Sequence, residues 1–503
     1  MRRISITKFL LYFLISGVLF TGCNKDEPDP RPNPVIDKIP AASTVNTFIW
    51  SGLHDFYLWS DLVDGLSNSK YKNTDSLNYF LNRYTEPQKL FKGLLYKYDE
   101  VDNWSFMVED YRTIDDWISG TSKTMGFDFE LRRISADSDH IVGIVRYVLP
   151  LSPAKTAGLK RGDIFINVND QQLTVANYKD LFINSESYFL EFASVSNGSI
   201  SANGKKSPTM KSVEMQENPI HLDTILSVNN QLVGYLVYNG FNSDFDLQLN
   251  GVFKKFKDAG VNELILDLRY NGGGSVQTCI YLASMIYSTD TKKVFAKAKY
   301  NSLLQSYYKV RYGESSLNKN FTATIAVDDG VPETPVNTLT LKKIYFIVSD
   351  NTASASELLI NGLKPYMDVK IVGINTAGKY VGSMTIKDWD ESGNVNPANK
   401  YAMQPIVVKY ANSNGISDYV DGILPDIQGE ENVTNLLPFG DPNEQLLSMV
   451  LADMQGLPPV IAQTSKSAHV GLRKVADSRD FKPFATDMYI NPVKSLRQKN
   501  GNQ

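Results

Sequence analysis

Past residue 23 the 503-residue chain has no apolar run long enough to span a bilayer. It has no long basic run, and a formal charge of −4 is small for its size, so nothing in it favours nucleic acid. Cysteine is limited to Cys23 and Cys279. If Cys23 is modified, Cys279 stands alone, which excludes an intrachain disulfide and a cysteine-based metal site. Cys279 then reads as a small buried hydrophobe on a helix. Histidine is limited to His54, His140, His221 and His469. None lies near the serine motif described below, so each reads as a core or surface residue. No internal repeat is visible, and neither a metal nor a cofactor is expected.

What is present begins with a targeting segment. Arg2, Arg3 and Lys8 precede an apolar stretch from Phe9 to Phe20. Its end, Phe20-Thr21-Gly22-Cys23, resembles a bacterial lipobox, although Phe20 stands where Leu is preferred. The resemblance implies a lipid on Cys23 and a place in the cell envelope, on the periplasmic side of the membrane or on the outer surface of the outer membrane. Lys25-Asp26-Glu27 looks like an acidic export tag. Pro28, Pro30, Pro32, Pro34 and Pro40 then mark residues 24–44 as an extended tether.

Four further regions follow. Residues 45–118 have a helical, aromatic-rich pattern and read as a small helical domain. Residues 119–196 switch to short strands, among them Ile141–Val145 and Ile164–Asn169, with a short helix opened by Ser152-Pro153-Ala154. Residues 197–455 alternate strand and helix, which argues for an α/β core. There Leu249, Val252, Phe253 and Phe256 mark one buried helical face that ends at Gly260. Residues 456–503 read as a polar, weakly patterned tail.

Three loops in the α/β region follow buried strands. Asp267-Leu268-Arg269-Tyr270-Asn271-Gly272-Gly273-Gly274 frees several backbone amides from Cβ hindrance, so they can aim at one point; alone it reads equally as a tight turn. Thr352-Ala353-Ser354-Ala355-Ser356-Glu357 opens a helix. Its Ser354-x-x-Glu357 spacing is a capping box, which needs no chemistry at all. Small neighbours nevertheless leave the Ser354 hydroxyl accessible at a helix N-terminus. Gly378-Lys379 comes third. Gly373 to Lys379 fits part of a phosphate loop, but Tyr380 replaces the metal-binding hydroxyl and a strand follows, so nucleotide binding is rejected.

In combination these motifs resemble the C-terminal processing peptidases, the S41 family of serine proteases. The resemblance covers roughly residues 120–430, including Thr376 and Gly422-Ile423-Leu424-Pro425-Asp426. It implies a crotonase/ClpP-like α/β protease core with an inserted PDZ-like domain and a small helical N-terminal domain. It also implies a serine endopeptidase acting on peptide or unfolded protein substrates. Ser354 would be the nucleophile and Lys379 the base. Backbone amides of Gly273 and Ala355 would form the oxyanion hole, with Glu357 and Thr376 in support. A lysine base must work without its proton near neutral pH, which an apolar setting favours. Processing members often carry Gln four residues after the lysine, where this chain has Ser383.

The segment Ser152–Leu159 with Gly162-Asp163-Ile164 resembles a PDZ module. Met125-Gly126-Phe127 would be its loop for a peptide carboxylate, and recognition of protein C-termini is implied. Two other readings use the same scaffold: a non-catalytic peptide-binding protein, and a glycan-handling surface lipoprotein.

Overall fold

The computed structural model describes residues 39–458, with short breaks at 136, 184, 197–198, 327–331 and 391–392, and then residues 472–481 and 488–490. Cys23, the prolines before residue 39 and His469 lie outside the described residues.

The α/β core is a six-stranded sheet in the order Ile220–Val228, Gln231–Tyr238, Glu263–Asp267, Lys343–Val348, Asp368–Gly373, Ile427–Gln428. The first pair is antiparallel and the rest are parallel. Alternate side chains point to opposite faces, and both faces are covered, as parallel sheets require. Leu236, Leu264, Leu266, Ile344 and Phe346 pack with the helices Asp246–Asp258, Val276–Ile286 and Ala355–Leu363. Tyr235, Ile265, Tyr345, Ile347 and Val372 meet Leu446, Leu447 and Val450 of the helix Gln445–Met454. The three motif loops leave the same ends of three adjacent parallel strands, the crevice where open α/β sheets place their ligands.

The N-terminal region contains the helices Thr44–Phe56, Thr74–Leu81 and Pro87–Gly93. Its buried residues Ile49, Leu53, Leu81 and Phe91 belong to the apolar cluster of the core and form none of their own. The periodicity gives each helix a buried face but does not say what that face meets.

Residues 121–206 form a smaller β-rich unit. Its strands run Phe127–Arg133, Ile141–Val148, Ile164–Val168, Leu190–Ser196, Ser199–Lys206, each antiparallel to the next. The sheet thus continues past residue 196. The strand Ile141–Val148 is buried on both faces. Ile141 and Val145 join the unit's own cluster with Phe129 and Phe165, whereas Val142 and Ile144 pack with Val433 and Leu436 of the core.

His221, on the first core strand, sits between Tyr147 of the β-rich unit and Phe439, at ring-centroid distances of 5.2 and 5.4 Å. Burial, reinforced by the Arg161 and Lys155 charges, lowers its pKa to about 4. The unfolded chain takes up a proton near pH 6.5 and the folded one only near 4, so this contact loses stability as pH falls through that window. His221→Phe should be less sensitive to acid than the parent by up to about 2 kcal/mol at pH 5. Paired urea unfolding curves at pH 7 and pH 5 check this; equal losses in both proteins would count against it.

The tail departs most from its reading as weakly patterned. Lys474–Asp477 adds to the edge strand Phe127–Arg133, and Met488–Ile490 enters a second six-stranded sheet between Gly274–Ser275 and Val381–Met384. Strands this short take their pairing from their partners and carry little periodicity themselves.

Candidate active site

The serine loop turns sharply out of the strand Lys343–Val348. Ser354 has φ +67°, a left-handed conformation that a non-glycine residue adopts only when its surroundings impose it. The capping bond that is made lies at its amide, not at its hydroxyl. Glu357 Oε2 accepts the Ser354 amide at 2.7 Å, yet Ser354 Oγ is buried with no hydrogen-bond partner among the described residues. A buried hydroxyl left unpaired is costly in a fold without a use for it.

Glu357 gathers the site. Its Oε2 also accepts the Lys379 amide at 2.9 Å, and its Oε1 accepts the Gly378 amide at 2.7 Å and the Thr376 hydroxyl. The amides of Ser354 and Lys379 therefore converge on one carboxylate oxygen. Burial raises the Glu357 pKa, and these four donors oppose that rise. The Ala377 amide adds a bond to the Thr352 carbonyl at 2.9 Å. Gly378 has φ +84°, and a Cβ there would lie 2.2 Å from the Val420 carbonyl oxygen, so the turn before the lysine requires glycine. The Lys379 ammonium lies 4.8 Å from the Trp104 ring centroid, and the side chain is 2% exposed.

Asn271 fastens the glycine run to the serine loop. Its carbonyl accepts the Ala353 amide and the Ser356 hydroxyl, each at 3.1 Å, and its Nδ2 donates to the Tyr238 carbonyl at 2.8 Å. Its Oδ1 accepts the Gly273 amide at 2.9 Å. Gly273 would have to share or release that bond to stabilise an oxyanion. Ala355 begins the serine helix, and its carbonyl accepts the buried Cys279 thiol at 3.4 Å. A cleft of about 560 Å³ adjoins the glycine run and is also lined by Met125 and Phe127. Ser354, fully buried, does not line it. Among the described residues no group of His, Cys, Asp and Glu is arranged to hold a metal.

Residues 232–428 match the profile of peptidase family S41, and residues 44–106 match the peptidase S41 N-terminal domain. The chain belongs to peptidase family S41. Staphylococcal proteins described as CtpA-like serine proteases, from Staphylococcus epidermidis and Staphylococcus aureus, are each 24% identical over 277 residues. That alignment covers 55% of this chain and 48% of each relative, so the chain spans about half the length of the curated relatives it matches. A crystal structure of a Bacteroides fragilis protein described as an S41 protease is 25% identical, with a TM-score of 0.63, over 86% of this chain and 99% of that one.

In this S41 chain the position of Ser383 is occupied differently from the family's glutamine. Its hydroxyl accepts Gln404 Nε2 at 2.8 Å and donates to the Met488 carbonyl at 3.0 Å. Sequence reasoning missed Gln404, Trp104 and the clamping role of Asn271. Only Asn271 carried a local signal, its place beside the glycines. Trp104 and Gln404 reach the site from distant segments.

The β-rich unit holds Met125-Gly126-Phe127 in a tight turn. Gly126 has φ +80°, and a Cβ there would meet Ser152 Cβ at 2.1 Å. The Gly126 amide donates to Thr124 Oγ1 at 3.0 Å. Phe127 packs inward, 5.2 Å from the Phe129 ring and 6.4 Å from that of Phe165.

Proposed function

We propose that this S41 peptidase is an endopeptidase working through a Ser354–Lys379 dyad. The observation that carries the reading is the shared carboxylate: Glu357 fixes the amides of both residues, while the Ser354 hydroxyl stands unpaired in a strained turn. Ser354 Oγ attacks the scissile carbonyl carbon as neutral Lys379 takes its proton. The C–N bond then breaks and Lys379 passes the proton to the leaving amine. Water, deprotonated by the same lysine, hydrolyses the ester and restores the serine. The amides of Ala355 and Gly273 stabilise the oxyanion, the latter by shifting from Asn271. Digestion of casein by the wild-type chain and by Ser354→Ala tests this. Loss of cleavage in the variant is expected; equal, negligible cleavage by both would favour a non-catalytic binding protein.

The β-rich unit is a PDZ-like module that reads peptide C-termini at Met125-Gly126-Phe127. The turn geometry and the cleft it shares with the glycine run support this. A free-acid peptide should bind Ser354→Ala about ten-fold more tightly than its amide, because a charge-assisted hydrogen bond is lost on amidation. Identical affinities in matched titrations would remove terminus recognition from the account. The lipobox-like segment supports a lipid anchor on Cys23 in the cell envelope; unchanged membrane partition of Cys23→Ser would refute that part.

A further inference from the structure

Two strand edges around the site are already occupied, and by the same stretch of chain. Lys474–Asp477 lies antiparallel on Phe127–Arg133, pairing Ala476 with Leu131 and Asp477 with Glu130. Just beyond it, Ser478 Oγ donates to Asp128 Oδ2 at 2.6 Å, and Phe481 stacks near Phe129 and Phe182 at 6.1 and 6.0 Å. Phe182 belongs to the helix Tyr178–Ile183, so this segment fills the groove between the edge strand and that helix. Asp477 is held by the buried Arg146 guanidinium at 3.4 Å. The same stretch touches the loop that leads to Ser354, for Arg479 Nη1 donates to the Asn351 carbonyl at 3.4 Å.

Further along, Met488–Ile490 is sandwiched between the two halves of the candidate site. Met488 and Tyr489 pair in parallel with Gly274 and Ser275, the end of the glycine run. Tyr489 and Ile490 pair in parallel with Ser383 and Met384, on the strand that follows Lys379. Ser383 donates to the Met488 carbonyl, and the Tyr489 ring lies 5.6 Å from that of Trp117. Ser478, Arg479, Phe481 and Tyr489 all line the cleft beside the glycine run.

We infer that these edges are the docking surface for an extended polypeptide, and that the chain's own residues 474–481 and 488–490 act there as an intramolecular occupant that a substrate must displace. Strand addition suits this partner because backbone hydrogen bonds hold any sequence, leaving side chains to set preference. A tethered segment competes at an effective concentration near millimolar, so it outcompetes a weakly held substrate without any covalent change. The inference rests on the endopeptidase reading for its consequence, but the docking itself does not.

Two variants loosen the tail at separate places. Tyr489→Pro removes an amide from a strand paired on both sides. Phe481→Ala empties the aromatic contacts in the groove. In the full chain carrying Ser354→Ala, binding of a fluorescein-labelled peptide of residues 472–490 is followed by anisotropy; in the chain with Ser354 intact, casein digestion is followed. Each variant should bind the probe at least ten-fold more tightly than the parent and digest casein at least ten-fold faster. Unchanged probe affinity overturns the inference whether or not casein is cut. Tighter probe binding with no cleavage in any variant upholds the docking and sinks the endopeptidase reading instead. Thermal melting shows which variants are folded, and if Tyr489→Pro is not, Phe481→Ala decides.

Discussion

Lys379→Ala should lower kcat for peptide hydrolysis by a factor on the order of 10^4 while KM changes little, because members of a nucleophile–base unit fail together. Lys379→Arg should be equally inactive. A guanidinium stays charged near neutral pH and cannot take the Ser354 proton. The variants should remain folded, since the Glu357 anchor is to the lysine backbone amide and survives either change. The alanine loses the aliphatic stem and the Trp104 contact among the interactions of the side chain. Steady-state kinetics with a casein-derived peptide check both variants against the wild type. Appreciable turnover by the arginine variant would assign the base to another residue.

The second large effect falls on Glu357. Glu357→Gln keeps the shape but replaces one acceptor oxygen by an NH2 group. Whichever way the amide turns, that group faces donors: the Ser354 and Lys379 amides on one side, or the Gly378 amide and the Thr376 hydroxyl on the other. The first orientation leaves two buried donors unsatisfied and the second at least the Gly378 amide, at about 1–3 kcal/mol each, so a loss of roughly 1–6 kcal/mol in stability is expected. Because either orientation disturbs the carboxylate that ties the serine and lysine loops together, kcat should fall by about 10–100-fold, with a smaller change in KM. A merely structural glutamate would lower the melting temperature and leave kcat of the folded fraction unchanged. Denaturant unfolding and kinetics on the same preparation separate the two outcomes.

The loops that make the site were legible because each follows a short apolar strand and carries residues with few alternative uses. Leu264–Leu266 announced the glycine run, and Ile344–Val348 announced the serine. The capping box was legible too, but its alternative reading, a cap and nothing more, could be weighed only once Ser354 Oγ was seen to lack a partner. Long-range placement was not legible. Phe48, Ile49 and Leu53 give their helix an apolar face, yet nothing in that face says it packs on the α/β core. The strand Met488–Ile490 has three residues and takes its place from Gly274–Ser275 and Val381–Met384. Ser383 marked a departure from the family pattern; that its hydroxyl meets Gln404 and the tail could come only from the fold.

The most direct test of the dyad is covalent capture of the nucleophile. The full chain carrying Phe481→Ala, which frees the groove without touching the serine, is incubated with a fluorophosphonate, and the modified residue is located by peptide mass spectrometry. The dyad predicts a single adduct on Ser354, absent in Ser354→Ala and slowed on the order of 10^2-fold or more when Lys379 is replaced by alanine. An adduct on any other serine, or labelling of Ser354 at the same rate without Lys379, would contradict it.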